Sequence, residues 1–504
     1  MDQWSSEDGT LSQPGGSEWD KKLLRTLFLV NLAGIMEKAD EVLLPGVYRE
    51  MLCFPLAAYF SVHHNRVNVI ALGAMLWAIA TFFVGASSTF VEVAISRALN
   101  GVGLAMVIPA IQSIVADAAH PEKRGLAFGW LHFTGNLGRV FGNVFAVLLA
   151  GTTVFGVAGW RASFHILAAS SILVAFFVYR LAIDPRYKEG QQREYHHASS
   201  TNPASAFKET LAEANFVVRI PTFQAIVAQG VAGTFPWAAL SFTPMWLELI
   251  GFSHNVTAGI IGTFTMSSSL GGLFGGWLGD VCARHSPNTG RIILAQFSTS
   301  IGIPFGAVIL LILPYNSSTA FQHGALFFAM GFLMSWCGTS TNNPIFAEIV
   351  PPKMRTSIYA LDRSFESLLA SFAPPLVGVL AEHVFGYVAS APQASEATVA
   401  MADMENARAL GKALFVAFGV PFTLCCLLYS ILYWTYPRDR DKAQAESQLS
   451  QERSLGITDI DNLKLGYLSL SKDADLVGDE PAKIEVTINS KSSGEEQHML
   501  SDTS

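Results

Sequence analysis

Long apolar runs alternate with short polar turns along most of this chain. From Val67 onward the rhythm is regular: Val67–Ala86, Phe90–Val115, Leu126–Ala150 and Ala162–Leu181, then a polar stretch from Ala182 to Val218. A second set follows, Ile220–Trp246, Asn255–Gly279, Ile292–Leu313, Ala320–Ile345, Ser357–Val384 and Ala409–Tyr436. Each run is about as long as the ~20 residues a helix needs to cross hydrocarbon. Backbone polar groups cannot stay unpaired in lipid, so the runs read as helices. With one pair before Val67, the pattern predicts an all-α polytopic membrane protein of six plus six helices.

That first pair breaks the rhythm. The run from Thr26 to about Val47 is interrupted by Glu37, Lys38, Asp40 and Glu41, and the next run, Met51–Val62, is short. Lys21, Lys22 and Arg25 before it, and His63, His64 and Arg66 after it, both ask for the cytoplasmic side, which requires an even number of crossings between them. Either a re-entrant hairpin forms there or residues found in relatives are missing. The expectation is a re-entrant or poorly packed pair between Thr26 and Val62, giving a less stable and less active protein than a relative with a complete second helix.

Charge placement orients the rest. Lys123-Arg124, Arg186-Lys188, Arg284-Arg291, Lys353-Arg355 and Arg438-Arg440 fall on alternate loops, on the side of the N-terminus. Both termini are therefore expected in the cytoplasm. The divisions are a cytoplasmic tail at 1–22, an N-terminal bundle at 23–181, a cytoplasmic linker at 182–218, a C-terminal bundle at 219–436 and a disordered cytoplasmic tail at 437–504.

Composition narrows the function. Apolar residues make up 51% of the chain and its net charge is -8, which speaks against a nucleic-acid partner. The five cysteines show no metal or disulfide spacing. No P-loop, nucleophile elbow or zinc-protease motif is present, so neither an enzyme nor a cofactor is expected.

Gly271 to His285, followed by Gly290-Arg291, ends the eighth span and leads into the ninth. Its glycines permit close helix approach, and Asp280 and Arg284 stand at the membrane edge as a charged turn. Gly276, Asp280 and Arg284, with Arg291 closing the stretch, resemble the signature loop of the major facilitator superfamily in its second-half copy. In the first half, Ala58–Val67 takes the equivalent place, with Val62 at the acid position and Asn65-Arg66 at the closing Gly-Arg. A repeat supports two related halves: Pro109, Asp117 and Arg124-Gly125 match Pro344, Glu348 and Arg355-Thr356. The runs Glu37 to Tyr48 and Ala360 to Glu366 look most like plant members related to the Spinster group.

The resemblance implies alternating access between two six-helix bundles, with loops such as Asp280–Arg284 latching one state. Candidate coupling or substrate residues are Glu37 and Asp40 in the first span, Arg97 in the fourth, and Arg139 beside Gly135, Gly138 and Gly142 in the fifth. Asp362, Arg363 and Glu366 in the eleventh span form an ionic turn, and Asn342, with other polar residues of the second-half spans, is a candidate to hydrogen-bond a ligand in the central cavity. The expected cargo is a small organic or lipid-like solute in the bilayer setting, with protons as the candidate driving ion. The alternative is a non-transporting membrane sensor or scaffold, suggested by the altered first loop and the long tail.

Overall fold

The structure, a computed structural model, describes residues 16–43, 65–150, 152–154, 156–186, 203–370, 372–388 and 396–454. The described residues up to Ser447 belong to one compact unit. Among the described residues the regular structure is helical apart from a two-residue-strand hairpin, Thr153–Val154 with Val157–Ala158. The first half contains α1 Gly16–Leu43, α2 Arg66–Ala86, α3 Phe90–Ala118, α4 Arg124–Ala150 and α5 Gly159–Leu181. Between the halves lies α6, Pro203–Val218.

In the second half, α7 Pro221–Ala239 continues through a tight turn into α8 Thr243–Leu249. Then come α9 His254–His285, α10 Gly290–Ser300, α11 Gly302–Ala307, α12 Ala320–Met334, α13 Asn343–Glu348, α14 Arg355–Ala370 and α15 Ala373–Val379. The chain ends its described part with α16 Glu396–Tyr429 and α17 Leu432–Ser454. Six stretches among the described residues are long and apolar enough to cross a membrane. The 21 residues of α2 rise about 32 Å at 1.5 Å each, close to the hydrocarbon thickness.

Four features differ from expectation. First, α1 begins at Gly16, inside the expected cytoplasmic tail at 1–22, and runs for 28 residues. Asp20 in its opening turns complements the helix dipole. The residues left for a second crossing, 44–64, lie outside the described residues, and so does the expected re-entrant pair. Second, α9 does not stop at Gly279 but carries Asp280 and Arg284 within it to His285, leaving Ser286 to Thr289 as the turn. Hydropathy marks where side chains leave lipid, not where backbone hydrogen bonds end.

Third, the linker contains the 16-residue helix α6. Fourth, the tail expected to be disordered from 437 is helical to Ser454, with Pro437 inside α17. That helix is fastened early. The Tyr436 hydroxyl donates to Glu348, and Arg440 donates to Pro287 O (3.1 Å) and Asn288 Oδ1 (2.9 Å) in the turn after α9.

Candidate functional site: an interlock between the halves

The turn from α9 into α10 brings its two key charges together. Gly290 and Arg291 open α10, and Arg291 is buried with its Nη2 3.0 Å from Asp280 Oδ1. The same nitrogen lies 3.8 Å from Glu348. Arg291 Nη1 donates to Ser340 O at 2.7 Å. Arg284, which shares the motif with Asp280, is instead exposed on the helix surface. The partner of Asp280 within its own half is thus the motif's closing arginine.

Asp280 also reaches into the other half. Its carboxylate accepts N–H of Gly125 (2.9 Å) and of Leu126 (2.8 Å), the opening residues of α4. An acid at a helix C-terminus is opposed by its own helix dipole; here it is aligned with the N-terminal dipole of a different helix. The approach requires glycine on both sides: a Cβ on Gly276 would lie 2.1 Å from Gly125 O, and one on Gly125 2.4 Å from Gly276 O. Close glycine contacts are how membrane helices gain packing without a hydrophobic drive.

Along α4 the neighbours change. Gly125 meets Gly276, Gly129 meets Leu273, and His132 meets Gly272, all across the halves. From Gly135 the glycines turn to α1: Gly135 to Lys38, Gly138 to Ile35 and Gly142 to Ala39. One end of α4 therefore clasps the second half and its other end packs on its own. Arg139 lies part-buried beside that second face.

A second set of contacts reinforces the same end. Arg355, at the start of α14, donates to Asp117 at the end of α3. Thr356 Oγ1 donates to Ser113 Oγ at 2.8 Å, and Gln112 Nε2 lies 3.4 Å from Asn343 Oδ1. The internal repeat is visible in the geometry. Arg124 Nε bonds Ala116 O at 3.1 Å, and Arg355 Nε bonds Ala347 O at 3.2 Å, each reaching back eight residues.

In the first half, buried Arg66 lies 2.6 Å from Asp117 and 2.5 Å from Asp184. Asp184, just beyond α5, carries no motif and is missed by sequence reading. Burial opposes its ionisation, but the guanidinium of Arg66, helped by Arg186, outweighs that and holds the carboxyl well below the ordinary range. A depressed folded value means that the stabilisation is complete above the unfolded value, near ~4, and is lost as pH falls below it. The thermal midpoint of solubilised wild-type protein is therefore expected to exceed that of Asp184→Asn at neutral pH, and the gap to shrink on acidification. A gap that stays constant from neutral to acid pH would contradict this.

The intramembrane candidates fall on several helices. Glu37 is buried on α1 and its Oε1 is 2.8 Å from Lys38 Nζ; the side chain of Asp40 lies outside the described residues. Arg97 is part-buried in the early turns of α3. Asp362 is buried, and Arg363 Nη1 lies 3.4 Å from Glu366 Oε2. Glu366 fills the space beside Gly230 of α7. Asn342 accepts the Tyr429 hydroxyl at 2.9 Å, so it joins two helices of the second half.

Residues 50–374 match the family model of the Major Facilitator Superfamily. The chain is 22% identical over 365 residues to Protein spinster of Drosophila melanogaster, covering 71% of this chain and 58% of the fly protein. It is 24% identical over 323 residues to a cis,cis-muconate transport protein of Acinetobacter baylyi, 63% and 72% of the two chains. Among solved structures, a bacterial homologue of the human lysosomal transporter Spinster, inward-facing and occupied, superposes with a TM-score of 0.53 at 19% identity. That match covers 85% of this chain and 99% of the other. The proton:xylose symporter XylE, bound to 6-bromo-6-deoxy-D-glucose, gives 0.56 at 14% identity over 81% and 95%.

Proposed function

The chain belongs to the major facilitator superfamily, and from that premise we propose that it is a secondary active transporter of a small organic or lipid-like solute, driven by protons. Its work is conformational rather than chemical: two bundles, 23–181 and 219–436, rock about a midplane site. The observation that carries this reading is the one-ended seam along α4. The carboxylate of Asp280 holds the start of α4 across the halves, while farther along α4 the glycines pack on α1 of its own half. Contacts confined to one end can be exchanged for contacts at the other.

The basic residues cluster at the interlocked end, which supports a cytoplasmic placement for that end and for both termini. Glu37, Asp40, Asp362 and Glu366 are the candidate proton carriers, and Arg97 and Arg139 the candidate counter-charges. The similarity to relatives that include a muconate transport protein supports a small organic cargo.

The test is flux of a panel of organic acids, sugars and lysolipids in proteoliposomes, with and without an imposed pH gradient. Uptake that follows the gradient for one class is the expected result. Gradient-independent uptake would remove the proton from the proposal. No flux of any class in folded protein would favour the scaffold reading.

A further inference from the structure

The halves meet the same requirement differently at the interlocked end. In the second half, Asp280 does two jobs: it pairs with Arg291 and it accepts two N–H groups at the start of α4. By the repeat, the first half needs an acid that pairs with Arg66 and one that sits at the start of α14. The matching sequence position is Val62, whose side chain can do neither.

Both jobs are nevertheless filled by carboxylates from the chain that follows α5. Asp184 shares Arg66 with Asp117, which lies 2.6 Å from Nη1: Asp184 Oδ1 is 2.5 Å from Nη2 and 3.1 Å from Nε, and Oδ2 accepts the Arg66 backbone N–H at 3.1 Å. Glu213, on α6 and 7% exposed, accepts the Ser357 hydroxyl at 3.3 Å. Ser357 is the third residue of α14. Its repeat partner in the first half is Leu126, one of the two residues whose N–H groups Asp280 holds. The charges facing this end of α14 include Arg355 on α14 itself, Asp117 on α3, Arg124 at the start of α4 and Glu213 on α6.

We propose that the segment between the halves replaces the lost loop acid, Asp184 as the partner of Arg66 and Glu213 at the start of α14. On that assignment α6 is a working part of the gate rather than a tether. The assignment rests on the interlock reading given above, and it makes Glu213 a positioning residue for gate closure. Release of Glu213 should loosen the α3–α14 contact as loss of Asp280 loosens the α4–α9 contact.

The experiment uses full-length protein with its five cysteines replaced by serine and a reporter at Ser113→Cys. Ser113 is fully buried beneath Thr356, so a membrane-impermeant maleimide reaches it only when this end opens. Glu213→Ala is expected to raise the labelling rate about fivefold or more, with Asp280→Asn as the reference that does the same. A role in folding alone would lower the thermal midpoint without changing that rate. If Glu213→Ala does not accumulate, Ser357→Ala removes the donor from the opposite side and is read in the same way. Acceleration by Asp280→Asn but not by the Glu213 or Ser357 variant overturns this inference and leaves the interlock standing. No acceleration by any of them overturns both.

Discussion

Asp280→Asn is expected to reduce solute flux at least about tenfold while the protein still reaches the membrane. Asp280 is 4% exposed and satisfies Arg291, which is 2% exposed, together with two backbone N–H groups of α4. Removing one partner of a buried ion pair costs about 3–5 kcal/mol, because the remaining charge is left uncompensated. Each ~1.4 kcal/mol is a factor of ten in an equilibrium constant. Glu348, at 3.8 Å from Arg291, recovers part of this, so the estimate is set at the low end.

The part of the loss that falls on the closed-end state is the two charge-assisted bonds from the N–H groups of Gly125 and Leu126, about 1.5–3 kcal/mol each, which are held only when α4 and α9 are clasped. A population shift of that size starves the cycle of one of its two states. Asp280→Glu keeps the charge and should recover flux in part. Arg284→Ala, at an exposed position of the same motif, should leave it nearly unchanged. Flux in proteoliposomes checks all three, and wild-type flux in Asp280→Asn would contradict the account.

The sequence makes the helices legible because lipid imposes a simple rule: a crossing needs a long apolar run. The runs beginning at Val67, Phe90 and Ile292 fall within α2, α3 and the stretch opened by α10. The acid–base repeat Asp117/Arg124 and Glu348/Arg355 is legible for a related reason. Charges at helix ends are few in such a chain, and two halves built alike place them alike.

What stays hidden is what depends on chain segments meeting at a distance. Asp184 lies 118 residues from Arg66, and nothing in Ile183-Asp184-Pro185 distinguishes it from any acid after a helix. Glu213 sits in a stretch that reads as a polar linker, and its partner Ser357 is 144 residues away. The pairing of Asp280 with Arg291 rather than Arg284 is likewise a matter of geometry: α9 continues past Gly279, and α10 brings Arg291 back to it. The helical start of the tail escapes hydropathy because α17 is polar, yet Arg440 fixes it to the turn after α9.

The central claim is that the interlocked end must open and close in every cycle. It is tested most directly by tying that end shut. Ser113 and Thr356 face each other across the halves with hydroxyls hydrogen-bonded at 2.8 Å, so cysteines at the two positions bring their sulfurs within reach of each other. In a background free of other cysteines, Ser113→Cys/Thr356→Cys protein is oxidised in proteoliposomes and its cross-link verified by mass spectrometry. The account predicts flux at background when cross-linked and restored on reduction, with each single-cysteine variant unaffected by the oxidant. Undiminished flux through fully cross-linked protein would show that this end does not need to open, and would contradict it.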